Sequence, residues 1–224
     1  MKSIKLIFIV LLFSITQLSH AEETLKTDKE KLSYSMGVFF GQTVTRQNID
    51  VDVPAFIQAV EDVLSGGETK LDMAEMQQIL TDYQQKEQQE RTAAAENNKQ
   101  AGKDYLSANK NKDGVVTLDS GLQYKVLKEG EGDSPVGDST VVVHYRGTLI
   151  DGTEFDSSYA RGEPAELGLN RVIKGWQEAL PLMKVGSKWQ IVVPSELGYG
   201  ERGAGGVIGP HSTLLFDIEL IEIK

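Results

Sequence analysis

The chain has 224 residues, 40% hydrophobic and 25% charged, a balance suited to one large or two small soluble domains. Its formal charge of -10 lacks the basic surplus that nucleic acid or anionic lipid partners demand. There is no cysteine, which excludes disulfides, thiolate metal sites and a lipid-modified cysteine.

The first predicted element is an export signal over residues 1–21. Lys2 and Lys5 make a basic start, Leu6 to Phe13 is an unbroken apolar run, and Ser19-His20-Ala21 has the small-x-small form of a cleavage site. A membrane anchor is the competing reading, but Ser14, Thr16 and Gln17 cut the run short of the roughly 20 apolar residues a spanning helix needs. Without Lys2 and Lys5 the chain has 21 basic against 33 acidic residues, a charge of -12. Absence of cysteine also suits an oxidising compartment. The expected location is the periplasm, with association to the outer membrane left open.

From Glu22 to Asn109 the pattern is helical. Leu32, Met36, Phe39 and Phe40 share one helical face. Asp52 and Pro54 start a second helix carrying Phe56, Ala59, Val60, Val63 and Leu64, and Gly66-Gly67 ends it. A third begins at Asp72, with Glu75 completing a D-x-x-E cap, and shows Met73, Met76, Leu80 and Tyr83 at heptad spacing. That stripe asks for a partner surface, because helices this few bury too little alone. Past Tyr83 the residues are strong helix formers with almost nothing apolar, which predicts a solvent-exposed rod; disorder over 84–108 is the alternative. A helix over 73–109 would be about 55 Å long, holding the modules on either side of it apart.

Beyond Lys112 the character changes. Seventeen of the 22 glycines and five of the six prolines lie from Gly114 onward. Leu122, Tyr124 and Val126 alternate with polar residues; Thr140 to Leu149, Lys188 to Val193 and Leu214 to Ile223 read as strands, and Asp151-Gly152 as a tight turn. Trp176, Ala179, Leu180 and Met183 give one short helix. The fold class expected is an α+β C-terminal domain, an antiparallel sheet curled around that helix, preceded by an all-α N-terminal domain and a long connecting helix.

Five segments then carry a resemblance: Val143-His-Tyr-Arg-Gly147, Gly152-Thr-Glu-Phe-Asp-Ser-Ser158, Val172-Ile-Lys-Gly-Trp176, Tyr199-Gly200 and Ile208-Gly-Pro-His-Ser-Thr-Leu-Leu-Phe216. In order and spacing they resemble the signatures of FKBP-type peptidyl-prolyl cis/trans isomerases over about Gly121 to Lys224. The helical half, with Leu32-Ser-Tyr-Ser-Met-Gly37, is similar to the N-terminal dimerisation domain of the exported bacterial macrophage infectivity potentiator subgroup. On this resemblance the chain divides into a signal peptide (1–21), a helical dimerisation domain (22–72), a long connecting helix (73–109), a linker (110–120) and an isomerase domain (121–224). All implied site residues lie in the last span, which is expected to fold and catalyse by itself.

The resemblance implies an enzyme whose catalytic residues are Asp156, Tyr199, Phe155 and Trp176, with Tyr145, Arg161, Val172, Ile173, Ile208 and Phe216 binding substrate. Trp176 would be the floor beneath a proline ring, Phe155 and Phe216 the walls, and Val172-Ile173 the edge, where Ile173 offers a backbone N–H. Tyr199 would donate to the carbonyl of the twisting bond, and Asp156 would be a polar group positioned by Tyr145 and Arg161. Rotation about X-Pro needs no nucleophile, metal or cofactor, because the barrier of about 18–20 kcal/mol is amide resonance. An apolar cavity favours the twisted amide, which has less charge separation than the planar one. Implied partners are proline-containing unfolded or partly folded polypeptides, a second copy through the N-terminal helices, and macrolide inhibitors.

Each residue has a plainer reading when taken singly. A Trp opening an amphipathic helix, like Phe155 and Phe216, is usually core; Asp156 before two serines is a turn cap, and Tyr199-Gly200 is loop punctuation. His144 and His211 read as structural hydrogen-bonding residues, too few for a zinc site. Only the joint order outweighs these readings. Ala165 and Leu167 stand where relatives commonly carry aromatic residues, which predicts a more open wall. The functional alternative is a dimeric periplasmic holdase in which isomerisation is secondary.

Overall fold

The structure, a computed structural model, describes residues 25–46 and 49–224, and the signal-peptide span 1–21 lies outside them. The chain divides into two compact units, one up to Asp50 and one over Val51–Lys224.

In the first unit, α1 (Asp28–Arg46) opens on a reciprocal cap that the sequence reading did not identify. Thr27 Oγ1 accepts from Glu30 N–H at 3.1 Å, and Glu30 Oε2 accepts from Thr27 and Lys26 N–H at 2.8 and 2.7 Å, satisfying donors the first turn cannot. No residue of α1 is buried, and Leu32, Met36 and Phe39 are each more than 60% exposed.

The second unit begins with α2 (Val53–Leu64), capped by Asp52, whose carboxylate accepts from Ala55 N–H at 2.9 Å, with Pro54 in the first turn. Next comes α3 (Met73–Asn109), capped by Asp72 at Glu75 N–H, 2.8 Å. The expectation of a solvent-exposed rod fails in its C-terminal half. Ala94, Ala95, Asn98, Gly102, Tyr105, Leu106 and Asn109 are buried or half-buried along one side. Contacts on this side include polar ones: Gln123 Nε2 donates to Leu106 O and Asn109 Nδ2 donates to Gln123 Oε1, both at 2.9 Å. Apart from Tyr105 and Leu106 this face is built from small and amide side chains, too little of an apolar stripe for a periodicity argument to find.

Residues 110–120, expected to be a linker, include the first strand, β1 (Val115–Thr117). The others are β2 (Gln123–Lys128), β3 (Thr140–Leu149), β4 (Glu154–Ser157), β5 (Ala165–Gly168), β6 (Lys188–Val193) and β7 (Leu214–Ile223), forming an antiparallel sheet in the order β1-β2-β6-β7-β3-β4. β3 bends so that its first half pairs with β5 and its second with β4. Register shifts in the β2/β6, β3/β4 and β3/β7 pairings add the local twist that curls the sheet. One face buries Val141, Val143 and Tyr145 from β3, Trp189, Ile191 and Val193 from β6, and Leu214, Phe216, Ile218 and Leu220 from β7. Alternation at period two sends these residues to the concave side, where α5 (Lys174–Ala179) packs through Trp176 and Ala179. Gly175 permits the approach: a Cβ there would stand 2.5 Å from Val193 Cγ1. Met183, expected on this helix, lies past its end because Pro181 cannot donate into an α-turn and the chain continues as a 3-10 turn over Leu180–Leu182.

Candidate active site

Between the concave face, α5 and the loop that follows β6 lies a cavity of about 410 Å³. Its base is an aromatic cluster. Trp176 meets Tyr145 edge-on at a ring separation of 5.2 Å and Phe216 at 5.3 Å, and Phe216 meets Phe155 edge-on at 5.5 Å. Edge-to-face contact sets positive ring edges against negative faces and fixes each ring's orientation. Trp176 comes from the first turn of α5, Tyr145 and Phe216 are on neighbouring central strands, and Phe155 is on β4. Trp176 is 3% exposed, and its Nε1–H has no partner among the described residues.

Two charged residues, Asp156 and Arg171, line this cavity, and Asp156 is the one tied to its aromatic base. Asp156 accepts hydrogen bonds from the Tyr145 hydroxyl on one oxygen and Arg161 Nη1 on the other, and Arg161 Nη2 donates to the Tyr145 oxygen at 2.9 Å, closing a triangle. The turn that returns Arg161 to Asp156 is α4 (Ser158–Arg161), capped by Ser157, which accepts from Ala160 N–H at 3.3 Å, and ended by Gly162 in the left-handed region. Ser157, and not Asp156, therefore caps the turn. Burial pushes the Asp156 carboxyl up, but the Tyr145 hydrogen bond and the Arg161 guanidinium outweigh it and hold the group below the usual aspartate value. Tyr145 is pushed up by burial and then by Asp156; Tyr199 is pushed up the same way, its hydroxyl making no hydrogen bond among the described residues.

Of the ten residues expected at the site, nine line this cavity: Tyr145, Phe155, Asp156, Val172, Ile173, Trp176, Tyr199, Ile208 and Phe216. The tenth, Arg161, stands behind Asp156. Ile173 precedes α5 as its N-cap, and its N–H donates to no described residue. The reading did not assign Arg171, Ala204, Gly205 and Val207, which also line the cavity. The last three belong to a glycine-rich loop in which Ala204 and Ile208 exchange both backbone hydrogen bonds, a small hairpin signalled only by Gly203, Gly205 and Gly206 at positive φ. Of the two departures from aromatic residues, Leu167 lines the cavity while Ala165 packs on the core. His144 is bonded to Ser158 Oγ at 2.9 Å and stacked on Tyr159.

A curled antiparallel sheet closed by one short helix thus surrounds an aromatic cavity with one hydrogen-bonded carboxylate at its wall. Residues 132–221 match the family described as FKBP-type peptidyl-prolyl cis-trans isomerase, and residues 29–126 match the domain amino terminal to it. The chain is 47% identical over 210 residues to the peptidyl-prolyl cis-trans isomerase Mip of Coxiella burnetii, covering 92% of this chain and 91% of that one. It is 45% identical to the outer membrane protein MIP of Legionella longbeachae, over 90% of this chain and 88% of that one. The crystal structure of FkpA from Escherichia coli superposes with a TM-score of 0.63 at 38% identity, covering 90% of this chain and 99% of that one. The chain belongs to the FKBP-type peptidyl-prolyl cis-trans isomerases, and it is an enzyme of that class, with the helical N-terminal region and curled sheet of that architecture.

Proposed function

We propose that the aromatic cavity receives the prolyl ring of a polypeptide and that the X-Pro bond twists within it. Trp176 forms the floor, Phe155 and Phe216 form walls, and Val172, Ile173 and Ile208 form the rim. The reading rests on one observation: four rings in edge-to-face contact line an apolar surface onto which one oriented carboxylate projects. Water stabilises the planar, charge-separated amide more than the twisted one, so exclusion of water lowers the barrier. The unpartnered Tyr199 hydroxyl is available to the carbonyl as it turns, and Ile173 N–H to a neighbouring peptide carbonyl of the substrate. Asp156 stays ionised and holds Tyr145 and Arg161 rather than moving a proton. No cofactor or metal enters the scheme. A protease-coupled or refolding assay, with and without a macrolide inhibitor of the family, tests the site: the macrolide should compete with the proline peptide.

Leu32, Met36 and Phe39 on α1, and Met73, Leu80 and Tyr83 on α3, are exposed among the described residues, and a second copy is the proposed occupant. The substrates proposed are exported, partly folded chains, with the periplasm as the location; the basic, apolar and small-residue pattern of 1–21 supports export. The matches to isomerases favour catalysis over the holdase alternative.

A further inference from the structure

We infer that the C-terminal half of α3 braces the cavity loop, and that Arg91 and Asn98 are positioning residues for isomerisation. The loop runs from Tyr199 to Thr213 and contributes Tyr199, Ala204, Val207 and Ile208 to the cavity. Its backbone is permissive: Gly200, Gly203, Gly205 and Gly206 have positive φ, and His211 is the non-glycine residue with positive φ among the described residues. Such a segment loses much conformational entropy when fixed and holds its shape only where something outside it does the fixing.

Two side chains of α3 supply that restraint, one at each end of the loop. Arg91 Nη2 donates to the carbonyls of Glu201 and Arg202 at 3.3 and 3.1 Å, at the end of the 3-10 turn Gly200–Arg202, where carbonyls lack partners. Asn98 Nδ2 donates to Pro210 O at 2.8 Å and Ser212 Oγ at 3.4 Å. Two turns along one rigid helix separate these anchors, about 10 Å. At the far end Gly102 lies so close to Thr213 that an added Cβ would overlap its hydroxyl. Between the anchors, His211 N–H donates to Gly200 O at 2.8 Å and closes the loop on itself. The helix thereby sets where Tyr199 and Ile208 stand relative to Trp176 and Phe216, which belong to the sheet and α5. The span 121–224 contains every cavity residue but lacks this brace.

The inference rests on the cavity being the substrate site. When the competent loop conformation is only partly populated, apparent affinity falls by that fraction, whereas substrate already bound restores the loop. In the full chain, Arg91→Ala and Asn98→Asp should each raise KM for a short X-Pro peptide about 2- to 10-fold, the range expected for loss of the one donor nitrogen each supplies, and leave kcat within about twofold. Arg91→Lys, which keeps a cationic nitrogen donor but not the planar guanidinium geometry, should fall between wild type and Arg91→Ala. Amide hydrogen exchange at 203–208 should accelerate in the variants while that of β3, β6 and β7 stays unchanged, which a general loss of stability would not produce. Wild-type KM in both Arg91→Ala and Asn98→Asp overturns the brace, as does unchanged exchange at 203–208. Failure of the cavity assignment is read separately, from wild-type activity in variants of Asp156 and Tyr199.

Discussion

Phe155 and Phe216 meet edge-on at 5.5 Å beside Gly147 of β3, whose missing Cβ leaves room for both rings. A Cβ on Gly147 would stand 2.6 Å from Phe155 Cε2 and 2.9 Å from Phe216 Cε1, well inside contact distance. Gly147→Ala should therefore spread the two walls, costing about 1–3 kcal/mol of stability and lowering kcat/KM about 10- to 100-fold. Thermal unfolding and peptide isomerisation on one preparation check this; wild-type values for both would contradict the packing described.

Tyr199→Phe removes only the hydroxyl proposed to meet the rotating carbonyl. A hydrogen bond stronger in the twisted state is worth about 1–3 kcal/mol, so kcat/KM should fall roughly 5- to 150-fold with the fold intact. Asp156→Leu should lower activity too, leaving the Tyr145 and Arg161 donors without their shared acceptor. Circular dichroism should be unchanged in both. Suppression of client aggregation should largely survive, and its loss in step with catalysis would show that both activities use one surface.

The pH profile follows from the same groups. Asp156 is held below its ordinary value of 3.8, and Tyr199 above its ordinary value of 10.0. Because the folded carboxyl is depressed, its stabilising contribution is present above the unfolded pKa and is lost as pH falls through the folded one. Peptide kcat/KM should be flat from about pH 5 to 9 and decline only below about pH 4 as Asp156 protonates. A bell centred near neutrality would indicate proton transfer by a group outside this scheme.

Leu80→Lys places a charge in the apolar stripe of α3. Light scattering should report a shift from dimer to monomer at micromolar concentration, with kcat/KM for a short peptide unchanged because the cavity lies in the sheet domain. A protein that is already monomeric before substitution would sink the dimer proposal.

The main strands were legible because they are long runs rich in β-branched and apolar residues: Thr140–Leu149, Lys188–Val193 and Leu214–Ile223 each match the reading residue for residue. β1, β4 and β5 were not, since three or four residues give too few alternations to separate a strand from a turn. At the site, the aromatic residues and Asp156 were found through ordered motifs. Ala204, Gly205 and Val207 escaped because a glycine-rich loop carries no periodicity, and what places it is a helix about a hundred residues earlier in the chain. That helix misled the reading for the complementary reason: Arg91, Asn98 and Gly102 look like solvent-facing residues until the carbonyls and hydroxyl they meet are known.

α3 is continuous from Met73 to Asn109, so its two ends are phases of one screw. Met73 and Arg91, and likewise Leu80 and Asn98, lie about five full turns apart and so point in the same direction. The apolar stripe and the loop anchors are one azimuth of the helix used twice. Adding a single residue between Tyr83 and Arg91 would leave every contact at each end chemically intact yet turn one end by about 100° against the other, whereas adding seven would nearly restore the alignment. The helix thus behaves as a key cut for angle as well as length.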